Sequence, residues 1–221
     1  MLQYLELFIC SLYSRYVPLF LFFLEKLGIK YSCELIYARY IDSKIYCSNS
    51  DIFDLRNLNL EDIRSGKYLG EILCSADDPV HHNESFGRIY NGNLGIIAVK
   101  NGNVIGYAWI NILSNKYQST IERIETFELG EVLIYDLHVQ PKYRRIGVSR
   151  SLVSHILIKL KLMKYNRCKV FIKFYNCPST KLFSSMQFKP IKKIFIIKLR
   201  NSKRIIEKSL SNEHLGEFDD N

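Results

Sequence analysis

Two adjacent arginines followed closely by a glycine and a serine, Arg144-Arg145-Ile146-Gly147-Val148-Ser149, are the residues of this chain best suited to hold an anion. Gly147 permits a sharp turn and a close backbone approach, and the two guanidinium groups add positive charge. The stretch lies between an apolar run, Glu131 to Val139, and a segment of helical periodicity. A helix starting here would offer the orphan N–H groups of its first turn and the positive end of its dipole, which together favour a phosphate. A second reactive group lies on the apolar run itself. Tyr135 and Asp136 are adjacent there, and Glu131 opens the run. Adjacent strand residues point to opposite faces, so Tyr135 and Asp136 can serve one pocket only if the strand carries a bulge.

The elements that must position these residues can be read in order. Residues 30–48 alternate at Tyr31, Cys33, Leu35 and Tyr37 and predict a first strand. Ser50-Asp51 suits a helix start, and Ile52, Leu55, Leu58 and Ile63 roughly share one face, which predicts a helix from Ile52 to about Ile63. Residues 65–93 are rich in Gly, Pro, Asp and Asn and predict irregular structure. Leu94 to Val99 and Val104 to Leu113 flank Asn101-Gly102 and predict a hairpin. Residues 114–130 read as a polar excursion. Glu131 to Val139 then reads as a central strand buried on both faces. From Ile146 to about Lys164, Val148, Leu152, Val153, Ile156, Leu157 and Leu160 recur at helical spacing. Cys168 to Tyr175 predicts a strand, Pro178 to Met186 a short helix after Asn176, and Ile191 to Leu199 a last strand. Strand–helix–strand order implies a parallel pair among otherwise mixed strands, hence an α/β fold.

Composition sets the outer limits. The chain has 221 residues and a net charge of +9, enough length for one α/β domain and enough charge to suit an anionic partner or a lysine-rich surface. None of its six cysteines forms a Cys-x-x-Cys pair and none has a histidine at zinc spacing, so no metal is expected. Reduced thiols suit the cytoplasm or nucleus. The longest uncharged apolar run near the start, Tyr16 to Leu24, is nine residues, whereas a membrane-spanning helix needs about 20. Residues 1–28 are expected to form one or two amphipathic helices packed on the domain, with a membrane-surface anchor as the alternative.

The six residues from Arg144 to Ser149 resemble the R/Q-x-x-G-x-G/A motif of the GNAT acetyltransferases, with Ser149 in the Gly/Ala place. Asn176-x-x-Ser179-x-x-Leu182-Phe183, followed by Phe188, has the spacing of that superfamily's later N-x-x-A-x-x-L-Y-x-x-x-G-F element. The resemblance implies a GNAT fold, a mixed central sheet flanked by helices, over residues 49–200. Residues 1–48 then form an N-terminal apolar segment with the first strand, and 201–221 a polar tail. Within the superfamily the chain most resembles the NatD family of histone N-terminal α-amino acetyltransferases. Gly130-Glu131-Val132-Leu133-Ile134-Tyr135-Asp136-Leu137-His138-Val139 is similar to that family's G-D-E-V-L-Y-C-Y-E-V-Q-L, with Asp136 where the family has Glu. Phe53-Asp54-Leu55-x-x-x-Asn59-Leu60 is similar to its F-D-L-x-x-x-N-M helix.

What the resemblance implies is acetyl transfer from acetyl-CoA to a protein N-terminal α-amine, the N-terminal serine of histone H4 or of a core histone with a similar start. Leu137, His138, Val139, Arg144 to Ser149, Asn176 and Phe183 would contact acetyl-CoA. Tyr135 and Asp136 would grip the amine, and Asp136 or Glu131 would take its proton. Phe183 stands where many GNAT enzymes have a Tyr to protonate the leaving thiolate, and the NatD pattern also has Phe there. Glu122, Glu125, Glu128 and Glu131 would form either an acidic patch for a basic tail or a solvated loop. Lys189 to Lys208 reads as a solvated edge, with a nucleic-acid contact or the 3′-phosphate of CoA as the other readings. Two alternatives stand beside this assignment: acetylation of another amine (a lysine side chain, another N-terminus or a small molecule) and a non-catalytic acetyl-CoA-binding scaffold.

Overall fold

The computed structural model describes residues 16–26, 29–41, 52–64, 87–113, 115–118, 123–199 and 202–210. The chain divides into two compact units, residues 39–170 and residues 1–38 with 171–221.

The larger unit carries the central strand. β2 (Asp54–Asn57), β3 (Leu94–Lys100), β4 (Asn103–Asn111), β7 (Glu131–Val139) and the start of β8 (Arg167–Lys173) lie side by side in the order β8-β7-β4-β3-β2. β7 and β8 are parallel, from Glu131↔Arg167 to Ile134↔Val170, and the other pairs are antiparallel. The strands are mixed, as expected. The hairpin between β3 and β4 turns on Asn101 (φ 52°) and Gly102 (φ 75°), the left-handed pair that a two-residue hairpin turn requires. The first half of β7 is buried on both faces, with Val132, Leu133 and Ile134 fully enclosed. Helix α4 (Val148–Leu162) packs on β2, β3, β4 and β7. Its predicted apolar face is the buried one: Val148, Leu152, Val153, Ile156, Leu157 and Leu160. Each such side chain contributes about 1.5–3 kcal/mol on burial.

The predicted helix from Ile52 to Ile63 is not there. Residues Asp54–Asn57 are the edge strand β2, paired with β3, and only Leu60–Arg64 are helical (α2). The reason is a capping box further along than Ser50-Asp51. Asp62 N donates to Asn59 Oδ1 at 2.8 Å, and Asn59 N donates back to Asp62 Oδ2 at 2.9 Å. Arg56, on β2, forms a bidentate pair with Asp62 at 2.7 Å, which ties the strand to the helix and holds the Asp62 carboxyl below its ordinary range. The polar excursion also contains structure, a separate hairpin of β5 (Asn115–Gln118) and β6 (Arg123–Thr126). Residues 87–90 form a short helical turn, α3, within the stretch expected to be irregular.

In the other unit β1 (Ile29–Tyr40), β9 (Lys189–Leu199) and β10 (Ser202–Ser209) are antiparallel neighbours in the order β10-β9-β1. β10 replaces most of the described part of the expected loose tail. Antiparallel pairing with β9 from Ser202↔Leu199 to Ser209↔Lys192 satisfies its backbone, and a Lys192–Glu207 ion pair at 3.0 Å crosses the strands. α5 (Cys177–Ser185) is the predicted short helix. α1 (residues 16–26) is helical; Val17, Pro18, Leu21 and Leu24 are half-buried along one face, while Tyr16, Leu19, Phe20, Phe22 and Phe23 are exposed. No helix among the described residues is long and apolar enough to cross a membrane. Cys33 and Cys168 are buried free thiols, and Cys177 is half-buried. Cys10, Cys47, Cys74, Ser50-Asp51 and residues 211–221 lie outside the described residues.

Gly95 shows how tightly the core beneath the central strand is fitted. A Cβ there would lie 2.9 Å from Leu58 Cβ and 3.3 Å from a Trp109 ring atom. Gly95→Ala is expected to lower unfolding free energy by about 1–3 kcal/mol, measured by urea denaturation, because backbone-near atoms must move.

Candidate functional site

β7 carries the bulge that Tyr135 and Asp136 need if both are to serve one pocket. β4 and β7 pair at Trp109↔Tyr135 and again at Tyr107↔His138, with a register shift between, so Asp136 and Leu137 oppose the single residue Ala108. Asp136 takes a left-handed backbone (φ 51°), a conformation that Asp tolerates better than most non-glycine residues. The extra residue brings Tyr135, Asp136 and His138 into contact with one set of neighbours. Tyr135 packs against a cluster that includes Tyr107 and Trp109, and its hydroxyl donates to Asn93 Oδ1 at 3.0 Å. The Tyr107 hydroxyl donates to Asp136 Oδ1 at 3.3 Å. His138 stacks on Tyr107, with ring centroids 5.6 Å apart and planes inclined by 24°.

Arg88, on α3, completes this face. It forms an ion pair with the other oxygen of Asp136, and its guanidinium lies 5.3 Å from the Trp109 ring and 5.2 Å from the Tyr135 ring. Asn93 Nδ2 donates to Arg88 O at 3.1 Å, so Asn93 links the α3 turn to the Tyr135 hydroxyl. Burial, reinforced by Arg144 and only partly opposed by Asp136, pushes the His138 pKa down. The imidazole is therefore neutral at pH 7 and able to accept a proton.

Glu131 is not part of this group. It is buried at the start of β7, where it accepts from Arg167 at 3.0 Å, from Lys169, and from the Glu128 N–H at 3.0 Å. Burial alone would raise its pKa, but the Lys169 bond, the Glu128 N–H and the two cations outweigh it and hold the carboxyl low. The expected acidic ladder is broken accordingly: Glu131 turns inward, Glu128 is exposed, and Glu122 and the Glu125 side chain lie outside the description.

The same strand leads into the anion-suited turn. The ladder with β8 ends at Ile134↔Val170, whereas β7 continues beside β4 to Val139. A short 3-10 turn, Pro141–Tyr143, follows. Arg144 is extended and its Nε donates back to Val139 O at 3.1 Å. Arg145 (φ 66°) and Gly147 (φ 92°) are both left-handed, and Gly147 is the N-cap of α4. A Cβ at Gly147 would meet nothing within 4 Å, so it is the backbone angle and not crowding that requires glycine. No side chain caps α4 and its first turn holds no acid. Arg144, Arg145, Ile146 and Gly147 are exposed, Ser149 is half-buried, and Val148 is buried as the helix anchor. α4 therefore starts with its first-turn N–H groups, dipole and two arginines on the surface, an arrangement that fits a pyrophosphate.

A sequence profile of the acetyltransferase (GNAT) family matches residues 58–188 of the 221. The chain belongs to the GNAT acetyltransferase family. Solved structures agree on the GNAT fold. A putative GNAT acetyltransferase from Novosphingobium aromaticivorans superposes with a TM-score of 0.53 at 10% identity, over 76% of this chain and 65% of that one. A Drosophila protein gives 0.51 at 15% identity, over 80% and 55%. A functionally unknown conserved protein from Staphylococcus epidermidis gives 0.50 at 12%, over 79% and 64%. The chain thus spans less than two thirds of the length of each. None of the curated proteins matches it.

Two further residues of the GNAT pattern lie in the other unit. Asn176 caps α5, its Oδ1 accepting from Ser179 N at 3.2 Å, which orders the turn. Phe183 is buried against Phe188, with ring centroids 5.0 Å apart, and is a core residue there. Arg88, Asn93, Tyr107 and Trp109 are site neighbours that the sequence did not single out. Tyr107 and Trp109 carried a usable signal, since residues two apart on β4 share a face. Arg88 and Asn93 carried none, because only the fold brings α3 to β7.

The depressed pKa values of His138 and His155 set an acid dependence. His155, on α4, is lowered first by burial and then by Lys159. Below about pH 6.5 the unfolded chain binds protons that the folded chain excludes, so stability rises with pH up to that point and levels off above it. The melting temperature is expected to fall between pH 7.5 and pH 5, and His155→Gln should reduce that slope. An unchanged slope in calorimetry would contradict the burial of this imidazole.

Proposed function

We propose that the chain transfers acetyl from acetyl-CoA to a protein N-terminal α-amine, as in the NatD family it resembles, with a histone-type Ser start as the acceptor. The observation that carries this reading is the bulge at Asp136. It gathers Tyr135, Asp136 and His138 on the strand that runs directly into the Arg144–Ser149 turn, so one element serves both halves of a transfer reaction.

Bound acetyl-CoA supplies an activated acyl group. The remaining work falls to the chain. Arg145, the outer nitrogens of Arg144 and the N–H groups at the start of α4 hold the pyrophosphate. The backbone of Leu137 to Val139, beyond the last residue paired with β8, holds the extended arm in strand fashion. Asp136, fixed by the Tyr107 hydroxyl, and the Tyr135 ring hold the acceptor amine. His138 takes the proton that the amine sheds as the C–N bond forms and the thioester C–S bond breaks, and the departing thiolate takes up a proton from solvent. Glu131, engaged by two cations, does not.

The α-amine is favoured over lysine on energetic grounds. Its pKa is about 7.7–8.0 against about 10.4 for lysine, so a substantial share is already neutral at physiological pH and a weak base suffices. Holding both reactants in line supplies most of the acceleration.

Peptides test the acceptor. With acetyl-CoA, a Ser-Gly-Arg-Gly-Lys start should be acetylated, and the same peptide blocked at its α-amine should not; equal rates on both would remove the N-terminal assignment. Arg145→Ala should raise the KM for acetyl-CoA by about 10-fold or more, the equivalent of one charge-assisted bond, with little change in the acceptor KM. His138→Gln should lower kcat by about 100-fold and abolish the acid limb of the pH–rate profile; an unchanged limb would assign the proton elsewhere.

A further inference from the structure

Trp109, Tyr135 and Asp136 together have the composition of a cation receptor. Two aromatic faces and a carboxylate surround one guanidinium, and that guanidinium belongs to the chain itself: Arg88 lies 5.3 Å from one ring and 5.2 Å from the other while paired with Asp136. Aromatic faces attract cations through the ring quadrupole, and they do so best when the cation is planar and weakly hydrated. The receptor is built from the rigid part of the fold. Trp109 and Tyr135 are directly opposed on β4 and β7, and Trp109 is only 1% exposed. Asp136 is fixed by its bulge and by the Tyr107 hydroxyl. Arg88, in contrast, reaches the receptor from the four-residue turn α3 on a long, rotatable side chain.

We propose that Trp109, Tyr135 and Asp136 form a binding site for a guanidinium or alkylammonium group, and that Arg88 fills it in cis until such a group displaces it. The proposal rests on the reading of Tyr135 and Asp136 as the acceptor end of the transfer site and extends it to a regulation of that end. An acceptor that carries its own cation competes with Arg88 for the rings and the carboxylate. An amine enters as its ammonium form and gives up its proton once seated, and an acceptor with no cationic form has nothing with which to displace Arg88. The site therefore discriminates by charge, and its apparent affinity is lowered by the fraction of molecules in which Arg88 occupies it.

Trp109 is the single tryptophan of the chain, so its emission reports on this site alone. The test is a fluorescence titration of the full chain with methylguanidinium chloride, with sodium chloride at matched ionic strength as the control and no acetyl-CoA present. The wild type should show a saturable change beyond the salt control. Arg88→Ala should show the same change at a concentration at least about 10-fold lower, and Asp136→Asn in that background should abolish it. Arg88→Met, which keeps the apolar stem, serves if the alanine variant is poorly folded by circular dichroism. The wild-type curve also stands alone: no saturable change in the wild type overturns the proposal. So does a midpoint in the Arg88 variants equal to or weaker than that of the wild type, which would make Arg88 only a strut for Asp136. The titration needs no turnover, so its outcome is independent of whether acetyl transfer to a peptide is observed.

Discussion

One extra residue in the central strand is the constraint on which the site depends. Without the bulge, Tyr135 and Asp136 would face opposite sides of β7, and His138 would share a side with Asp136 alone. With Asp136 and Leu137 set against the single Ala108, all three side chains meet the Tyr107–Trp109 face of β4. Asp136 has to adopt φ 51° for this, a conformation that costs a non-glycine residue roughly 1–2 kcal/mol. The cost is met locally. The Tyr107 hydroxyl and Arg88 hold the carboxylate, and the paired residues on either side of the bulge keep the strands in register.

The anion turn follows from the same strand by different means. β7 is anchored in its first half, where Val132, Leu133 and Ile134 are enclosed and Glu131 is clamped by Arg167 and Lys169. α4 is anchored by its buried face, beginning at Val148. Between two fixed elements the chain must reverse within a few residues, and Arg145 and Gly147 do so with left-handed angles. The arginines and the first-turn N–H groups are consequently left at the surface, and no acid of the first turn competes for them.

The parts of the fold that could be read from the sequence are those with a strong period. β7 has the predicted limits, α4 buries the predicted residues, and Asn101-Gly102 closes the predicted hairpin. The adjacency of Tyr135 and Asp136 implied a bulge only because the family resemblance gave both residues to one pocket. The misses are short edge elements. Asp54–Asn57 is four residues long and its apolar spacing fits a helix equally well, so only its pairing with β3 decides. β10 lies in a charged stretch and becomes a strand because β9 offers it an edge. Arg88 and Asn93 illustrate the remaining limit. Their partners are 48 and 42 residues away in sequence, and no local pattern records such a distance.

If the bulged strand holds the acceptor, as proposed above, its loss should stop transfer and spare coenzyme A binding. The most direct measurement is the rate of acetyl transfer to a free peptide α-amine, at saturating acetyl-CoA, by a variant lacking residue 136. Deleting one residue restores regular pairing with β4 and leaves the Arg144–Ser149 turn in place. Coenzyme A affinity should stay within a few-fold of the wild type and turnover should fall by about 100-fold or more, since the deletion leaves Tyr135 and His138 opposite Trp109 and Tyr107 but removes the carboxylate proposed to position the amine. Turnover within a few-fold of the wild type would contradict that proposal.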